Sequence, residues 1–570
     1  MKIKIASVTV LFDKEEARSR WGRGENVLQY ELNEIMRHFG AGVQWIERLD
    51  EQALSSTDVL LAALEAQDER TTRILLQYIE RGGIVISYGG LSALADRFGY
   101  REIATDVGYA CLPQEMARSS RPLRYLRAKP WIAREEAGNA VLSGHNQLKA
   151  ISPDGKPIAA ALLRLELGLG CVERWAIDIP QTIVHFQQGS KPVIEDGIPA
   201  PDGSANVDEG ILKADDGVEM DWDFDRLVTD ADAPYFAYPY ADYWKEALFE
   251  HLLQKVTERG LTLPFVGYWP EGVRGVALLS FDSDDNMDEQ GSTTLDVLQT
   301  HGVRTTWCML EPGYTNETYK RATVEGHELA YHYNARIQEG YVWSEDEFQR
   351  QLIGLRSKVP NPAIISNKNH FTRFEGWGEL FRWCEAAGIE CDQTRGPSKR
   401  GNVGFLFGTC HPYFPIALAD EQNRIYHVLE VGFLTQDLNV NAATSDRSII
   451  SPLFEEVAAV EGVAHFLFHQ RHIHRFEQVR AALAEVVSEA RKHGYEFWTS
   501  MQINAWIRTR ASIRVKAVTP EGNITCENNI RGAVIWTPIP DYEGSQAVTE
   551  PGIEKKFGVW CKKTVLPQTH

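Results

Sequence analysis

An apolar run, Val276-Ala277-Leu278-Leu279-Ser280-Phe281, breaks off in Asp282-Ser283-Asp284-Asp285. Such a run reads as a strand, and a strand that stops at three carboxylates holds them rigidly, as over the mouth of a barrel. Like charges this close resist ionising together unless a cation or a proton offsets them, so a metal site is one physical reason for the arrangement. From this segment alone, an acidic strand-to-loop corner is the other reading.

The chain is far longer than one such domain needs. Its 570 residues exceed the ~250–300 at which a single core stops growing, so two or three domains are expected. Apolar residues make up 43% and charged residues 24%, which supports a buried core in each. The 79 acidic against 59 basic residues set up a negative field that repels phosphate backbones and anionic lipid, so neither a nucleic-acid nor a membrane partner is expected. Cys111, Cys171, Cys308, Cys384, Cys391, Cys410, Cys526 and Cys561 form no C-x-x-C pair and read as buried thiols. Residues 5–12 are apolar but run straight into Asp13-Lys14-Glu15-Glu16 with no cleavage pattern, so they read as a first strand. With no stretch apolar enough to span a bilayer, a cytoplasmic protein is expected. Oligomeric state is not legible.

Over residues 1–190 strand and helix alternate. Residues 2–12 are strand-like; Leu28, Leu32, Ile35, Met36 and Phe39 recur at helical spacing before Gly40. The apolar runs 59–64 and 84–87 flank a helical segment that ends in Gly82-Gly83, which predicts a Rossmann-like or flavodoxin-like parallel layer. The turn Ser87-Tyr88-Gly89-Gly90 is faintly similar to the strand-to-helix turn of class I glutamine amidotransferase-like domains, where a cysteine sits. Without a thiol there, nucleophilic catalysis has no nucleophile, and no G-x-G-x-x-G is present; a non-catalytic partner domain is expected. Residues 191–240, rich in glycine, proline and aspartate (Asp215, Asp216, Asp221, Asp223, Asp225), suit a solvated acidic linker or insertion and lack EF-hand spacing. Beyond Arg508, alternation at Ile513, Val515 and Ala517, a Pro520-Glu521-Gly522-Asn523 turn and a strand with Val534 and Trp536 predict a small β unit over 509–570.

A second cluster reads Gly326-His327-Glu328-Leu329-Ala330-Tyr331-His332, with 328–331 as a short strand and His332 following it toward the same mouth. Asn369-His370-Phe371-Thr372-Arg373-Phe374-Glu375-Gly376 and Phe466-Leu467-Phe468-His469 come later. In that order, F-D-x-D, G-H-E-x-x-x-H, an arginine stretch and a late strand ending in histidine resemble the motif series of the polysaccharide deacetylase (NodB-type) family, over roughly residues 276–508. The resemblance implies a distorted (β/α) barrel across 241–508 and an α/β chain as a whole.

It also implies Asp282 as general base, Asp284 and His332 as metal ligands, Arg373 as the residue that orients Asp282, and His469 as general acid. There are two departures from the family pattern. Where the family carries a second histidine one helical turn on, this chain has Arg336, which cannot ligate a metal; His370, beside Arg373, is taken as its replacement. Phe374 and Glu375 stand where a proline usually follows the arginine, so the loop is expected to be shaped differently. The implied cofactor is a divalent ion, Zn²⁺ ahead of Ni, Co or Mn. The implied reaction is hydrolysis of an acyl group, first of all acetyl, from an amide nitrogen of an amino sugar or glycan. Two alternatives stay open: an amidase for a small non-carbohydrate or cyclic amide, and an inactive carbohydrate-binding protein, suggested by Arg336 and by 15 tryptophans able to stack on sugars. His327 is expected to donate to a backbone carbonyl, and His465, His472 and His474 to be satisfied surface or core side chains. Gly408-Thr409-Cys410-His411-Pro412-Tyr413 reads as an ordinary loop, with lining of the acyl pocket as the alternative; Asp392 and Asp437 are ambiguous.

Overall fold

The computed structural model describes residues 4–116, 121–134, 145–205, 210–359, 363–440, 445–519, 523–540, 542 and 551–567. Strands β1 (Val8–Phe12), β2 (Gln44–Ile46), β3 (Val59–Leu64), β4 (Ile84–Tyr88), β5 (Leu162–Leu167) and β6 (Gly170–Trp175) form one sheet in the order β2-β1-β3-β4-β6-β5. All neighbours are parallel except the β5–β6 hairpin. The run β2-β1-β3-β4 is the strand order of flavodoxin-like layers, and β1, β3 and β4 are buried throughout, as strands covered on both faces must be. The expected first helix ends where Gly40 takes the left-handed conformation, φ 62°. A second, antiparallel sheet of Gly108–Cys111, Leu123–Tyr125, Gln147–Ala150 and Pro157–Ala160 was not anticipated; its three- and four-residue strands are too short to show a period.

The central domain is built on β7 (Val276–Asp282), β8 (Thr306–Met309), β9 (Glu328–Tyr333), β10 (Ser366–Asn369), β11 (Cys391–Asp392), β12 (Leu429–Glu430), β13 (Thr435–Gln436) and β14 (Val463–His469). They pair in parallel in the order β12-β11-β10-β9-β8-β7-β14-β13. β12 and β13 stand at opposite ends of this path, yet only residues 431–434 separate them, a reach of at most ~17 Å. The sheet is therefore curled into the expected distorted barrel. Side chains cross its interior: His465 on β14 meets Ser280 on β7 and the Val431 carbonyl, and Lys368 on β10 donates to Ser280. β9 runs to Tyr333, so His332 lies within the strand and not after it.

The acidic stretch expected as a solvated linker is instead a packed strap. Asp215 is buried and accepts from the Ser398 N–H, the Ser398 hydroxyl and Asn402. Asp225 is buried, accepts from Tyr109 and pairs with Arg124. Composition concealed this because every one of these partners lies far away in sequence. The following helix, Tyr240–Thr257, is buried on nearly every side, as a helix wedged between domains must be. Toward the first domain Trp244 donates to the Arg124 carbonyl and His251 lies against Trp175 and Glu173. Toward the barrel, Asp242 accepts from Thr409 and Cys410. That contact draws the 408–413 loop onto this helix and away from the barrel mouth.

At the C-terminal end, Phe265–Val266 joins Val534–Pro538, Val559–Val565 and Ile553–Lys556 in an antiparallel sheet, with Arg514–Val518 and Ile524–Glu527 as a separate hairpin. Pro520, Glu521 and Gly522 of the expected turn lie outside the described residues. The cysteines are unpaired, and all are buried but Cys111 and Cys526, which are half-buried. Among the described residues no helix is long and apolar enough to cross a membrane.

Candidate metal centre and acid–base site

Parallel strands present their C-terminal ends on one face, and alternation sends every second side chain inward. Ser280, Asp282 and Asp284 follow that spacing at the end of β7, as do Ser366, Lys368 and His370 along β10, and His465 and His469 on β14. Asp284, His332 and His370 meet there, with one ligand atom of each within 4.8 Å of the others. His332 Nε2 and His370 Nε2 lie 3.7 and 3.6 Å from Asp284 Oδ1. His332 donates through Nδ1 to the Lys368 carbonyl at 2.8 Å, which leaves Nε2 facing the carboxylate. Among the described residues Asp284 Oδ1 and His332 Nε2 are buried without a hydrogen-bond partner, a cost that a cation would relieve. Burial pushes His370 down to about 4, so its ring is neutral and able to ligate at neutral pH. Burial also disfavours the Asp284 carboxylate, but His469, His332 and His370 outweigh it and hold the group well below the ordinary range. Two imidazoles and a carboxylate, with room beside them, fit a divalent ion with an open position. The third carboxylate, Asp285, turns aside to accept from Gln290.

Asp282 ends β7 in register with His469 on β14. Its Oδ2 is 3.7 Å from His332 Nε2 and its Oδ1 is 3.2 Å from Lys368 Nζ. The expected contact from Arg373 to Asp282 is not formed. Glu375, two residues on, captures the guanidinium, which also donates to the Ala335 carbonyl. Phe371 and Thr372 sit at φ 60° and 51°, a left-handed turn that sets His370 and Arg373 on their separate courses. Lys368, wholly buried, is the cation on Asp282, and it also donates to Ser280 at 2.6 Å. Arg336 pairs with Glu339 and stacks 4.6 Å over the Phe371 ring, whose centroid is 4.5 Å from that of His370. The arginine at the missing ligand's place thus braces the loop of the replacement.

Across the pocket, Asp437 accepts from the His469 backbone N–H at 2.9 Å and from its Nδ1, while His469 Nε2 lies 3.7 Å from Asp284 Oδ2. Burial opposes a charge on His469, but Asp437 and Asp284 outweigh it and raise it to about 9. His472 Nδ1 meets the same Asp437 oxygen at 2.7 Å. Asp437, His469 and His472 also group their potential ligand atoms within 4.8 Å, but those short contacts are hydrogen bonds that fix the orientation of the two rings. Of the other histidines, His327 accepts the Thr305 N–H through Nδ1 where donation to a carbonyl was expected; His465 is wholly buried and His474 pairs with Thr293. Asp392 lies buried with Asn367 and Thr394, away from the pocket.

Asp282, Asp284, His370, Asp437, His469 and His472 line a pocket of about 280 Å³, together with Lys213 from the strap and Arg471, whose Nη2 is 3.2 Å from Asp284. Sequence reasoning passed over Lys368, Lys213 and Arg471 and gave Asp437 no role. Only Lys368 carried a local signal, two residues before His370 on the same strand face.

No family model matches the chain, and no curated protein matches it. Solved structures do. A provisionally named polysaccharide deacetylase from Mycobacterium smegmatis matches at 15% identity over 43% of this chain and 94% of its own, TM-score 0.31. The Bc1960 peptidoglycan N-acetylglucosamine deacetylase matches at 15% over 42% and 90%, TM-score 0.24. BA3943 of Bacillus anthracis, a CE4 family pseudoenzyme, matches at 11% over 41% and 66%, TM-score 0.25. The likeness to polysaccharide deacetylases is thus one of structure at low identity over about two-fifths of the chain.

Proposed function

We propose that this chain is a metal-dependent hydrolase that removes an acyl group, most simply acetyl, from an amide nitrogen of an amino sugar or glycan. The observation that carries this reading is the opposition of two half-sites across one pocket: the Asp284, His332 and His370 donor set, and the Asp437–His469 pair.

Asp284, His332 and His370 would hold the ion, zinc ahead of nickel, cobalt or manganese. Bound there, a divalent ion would supply Lewis acidity, which lowers the pKa of water toward neutrality and polarises a carbonyl. Asp282, held by Lys368, accepts the proton of the attacking water. His469, kept charged by Asp437, delivers a proton to the departing nitrogen, which leaves poorly as an anion and readily as an amine.

The test is elemental analysis of protein purified without chelator, paired with acetate release from N-acetylated sugars. One ion per chain and metal-dependent acetate are expected. Protein that holds no stoichiometric ion and frees no acetate would refute the proposal. Arg336 at the usual ligand place favours a second reading, a carbohydrate-binding protein without turnover, for which sugar binding without metal would speak. Ion-dependent cleavage of small cyclic amides, with no acetate from sugars, would instead indicate the amidase.

A further inference from the structure

The cations around the pocket do more than the acid–base chemistry requires. Lys368 matches Asp282, and Arg471 reaches Asp284 at 3.2 Å. The third cation, Lys213, comes from the strap and not from the barrel, and its Nζ stands 5.7 Å from the centre of the Phe371 ring at the pocket wall. The strap is built to keep it there. Lys213 and Val193 bridge to Arg373 and Gly376, Phe374 donates to the Leu212 carbonyl, and Asp216 accepts the Lys213 N–H at 2.7 Å. Asp215, buried beside it, is pinned by Ser398 and Asn402. The strap thus runs along the very loop that carries His370.

The charge count follows. Lys213, Lys368 and Arg471 stand among Asp282, Asp284 and Asp437, with the His469 imidazole beside them, so a divalent ion leaves the pocket net positive, while the whole chain has a formal charge of −20. A positive recess in a negative protein selects an anion, and low-dielectric walls concentrate its field. Arg471 is placed to receive it: its Nε is buried with no hydrogen-bond partner among the described residues, a donor that desolvation leaves costly until a ligand accepts from it. Arginine is the side chain best shaped for carboxylate and phosphate.

We infer that the substrate is an N-acylated molecule bearing an anionic group, a carboxylate or a phosphate, which Lys213 and Arg471 grip beside the amide. This rests on the hydrolase reading above. The experiment is calorimetric titration of the full-length, zinc-loaded protein with N-acetylglucosamine, its 6-phosphate and N-acetylmuramic acid, with acetate release followed on the same three. One of the anionic sugars should bind about tenfold or more tightly than the neutral one, the scale of a single charge-assisted contact, and the pair separates phosphate from carboxylate. In Lys213→Met and Arg471→Met proteins, and at high salt, that preference should shrink. Equal binding of neutral and anionic sugars, binding of none, or a preference that survives both substitutions overturns the inference. Preferential binding without acetate release sinks the hydrolase reading alone; equal turnover of neutral and charged sugars sinks the anionic substrate alone.

Discussion

Asp282 and His469 face each other from neighbouring strands, and removing either should leave a different trace from removing a ligand. Asp282→Asn and His469→Ala are expected to cut turnover by on the order of 10²–10⁴-fold, the usual worth of a positioned acid or base, while the ion stays bound. His332→Ala should lose the ion itself, since among the described residues Nε2 has no hydrogen-bond partner; metal content measured beside kcat distinguishes the two. Lys368, not Arg373, holds Asp282. Lys368→Met is therefore expected to lower kcat far more than Arg373→Ala, and the reverse ranking would show that the guanidinium acts on the base after all. His327 gives a pH test away from the chemistry. Burial lowers it to about 4 from an ordinary 6.5, so the folded chain binds fewer protons than the unfolded one between those values. Stability from this group is present above pH 6.5 and is lost as pH falls toward 4, about 3 kcal/mol in all. Urea midpoints from pH 7 to 4 should fall less steeply in His327→Gln.

At the scale of elements, the strap matters most. Asp215 accepts three hydrogen bonds from Ser398 and Asn402, of which Asn402 is buried and Ser398 half-buried. Asp215→Ala is expected to cost about 2 kcal/mol, the penalty of leaving buried donors unpaired, and to speed proteolysis within residues 210–225. Unchanged urea midpoint and cleavage rate would mean the strap is held by its backbone bridges alone. The loop 370–376 shows the same dependence in reverse: its left-handed Phe371 and Thr372 persist only while strap, Arg336 and His370 packing determine them together.

The whole molecule turns on the helix Tyr240–Thr257, clamped by Trp175 and Glu173 on one side and by Thr409, Cys410 and Glu456 on the other. A barrel cut off from residues 1–190 would expose that buried helix and take Glu173 away from His251 and Lys255. Such a truncation is expected to be insoluble, and the intact chain to melt in a single transition. Two separate calorimetric transitions, or a soluble truncated barrel, would show that the first domain is dispensable.

The motif stretches at 282–284, 328–332, 369–373 and 466–469 were legible because their order resembles one family's motif series, and alternation at strand ends, a rule that needs only local sequence, sends their side chains inward. The same rule, applied at β10, would have found Lys368. The flavodoxin-like layer was legible for a similar reason: strands buried on both faces are continuous apolar runs. What local pattern cannot express is partnership across hundreds of residues. Asp215 looked solvated until Ser398 met it; Arg373 looked like the partner of Asp282 until Glu375 took it; and Lys213 entered the pocket only because the strap lies along the His370 loop. Sequence by itself determined which strands present chemistry and on which face, because backbone geometry dictates that. Only the tertiary structure decided which charges face one another, because a buried carboxylate's partner is whatever distant donor the packing brings within hydrogen-bond reach.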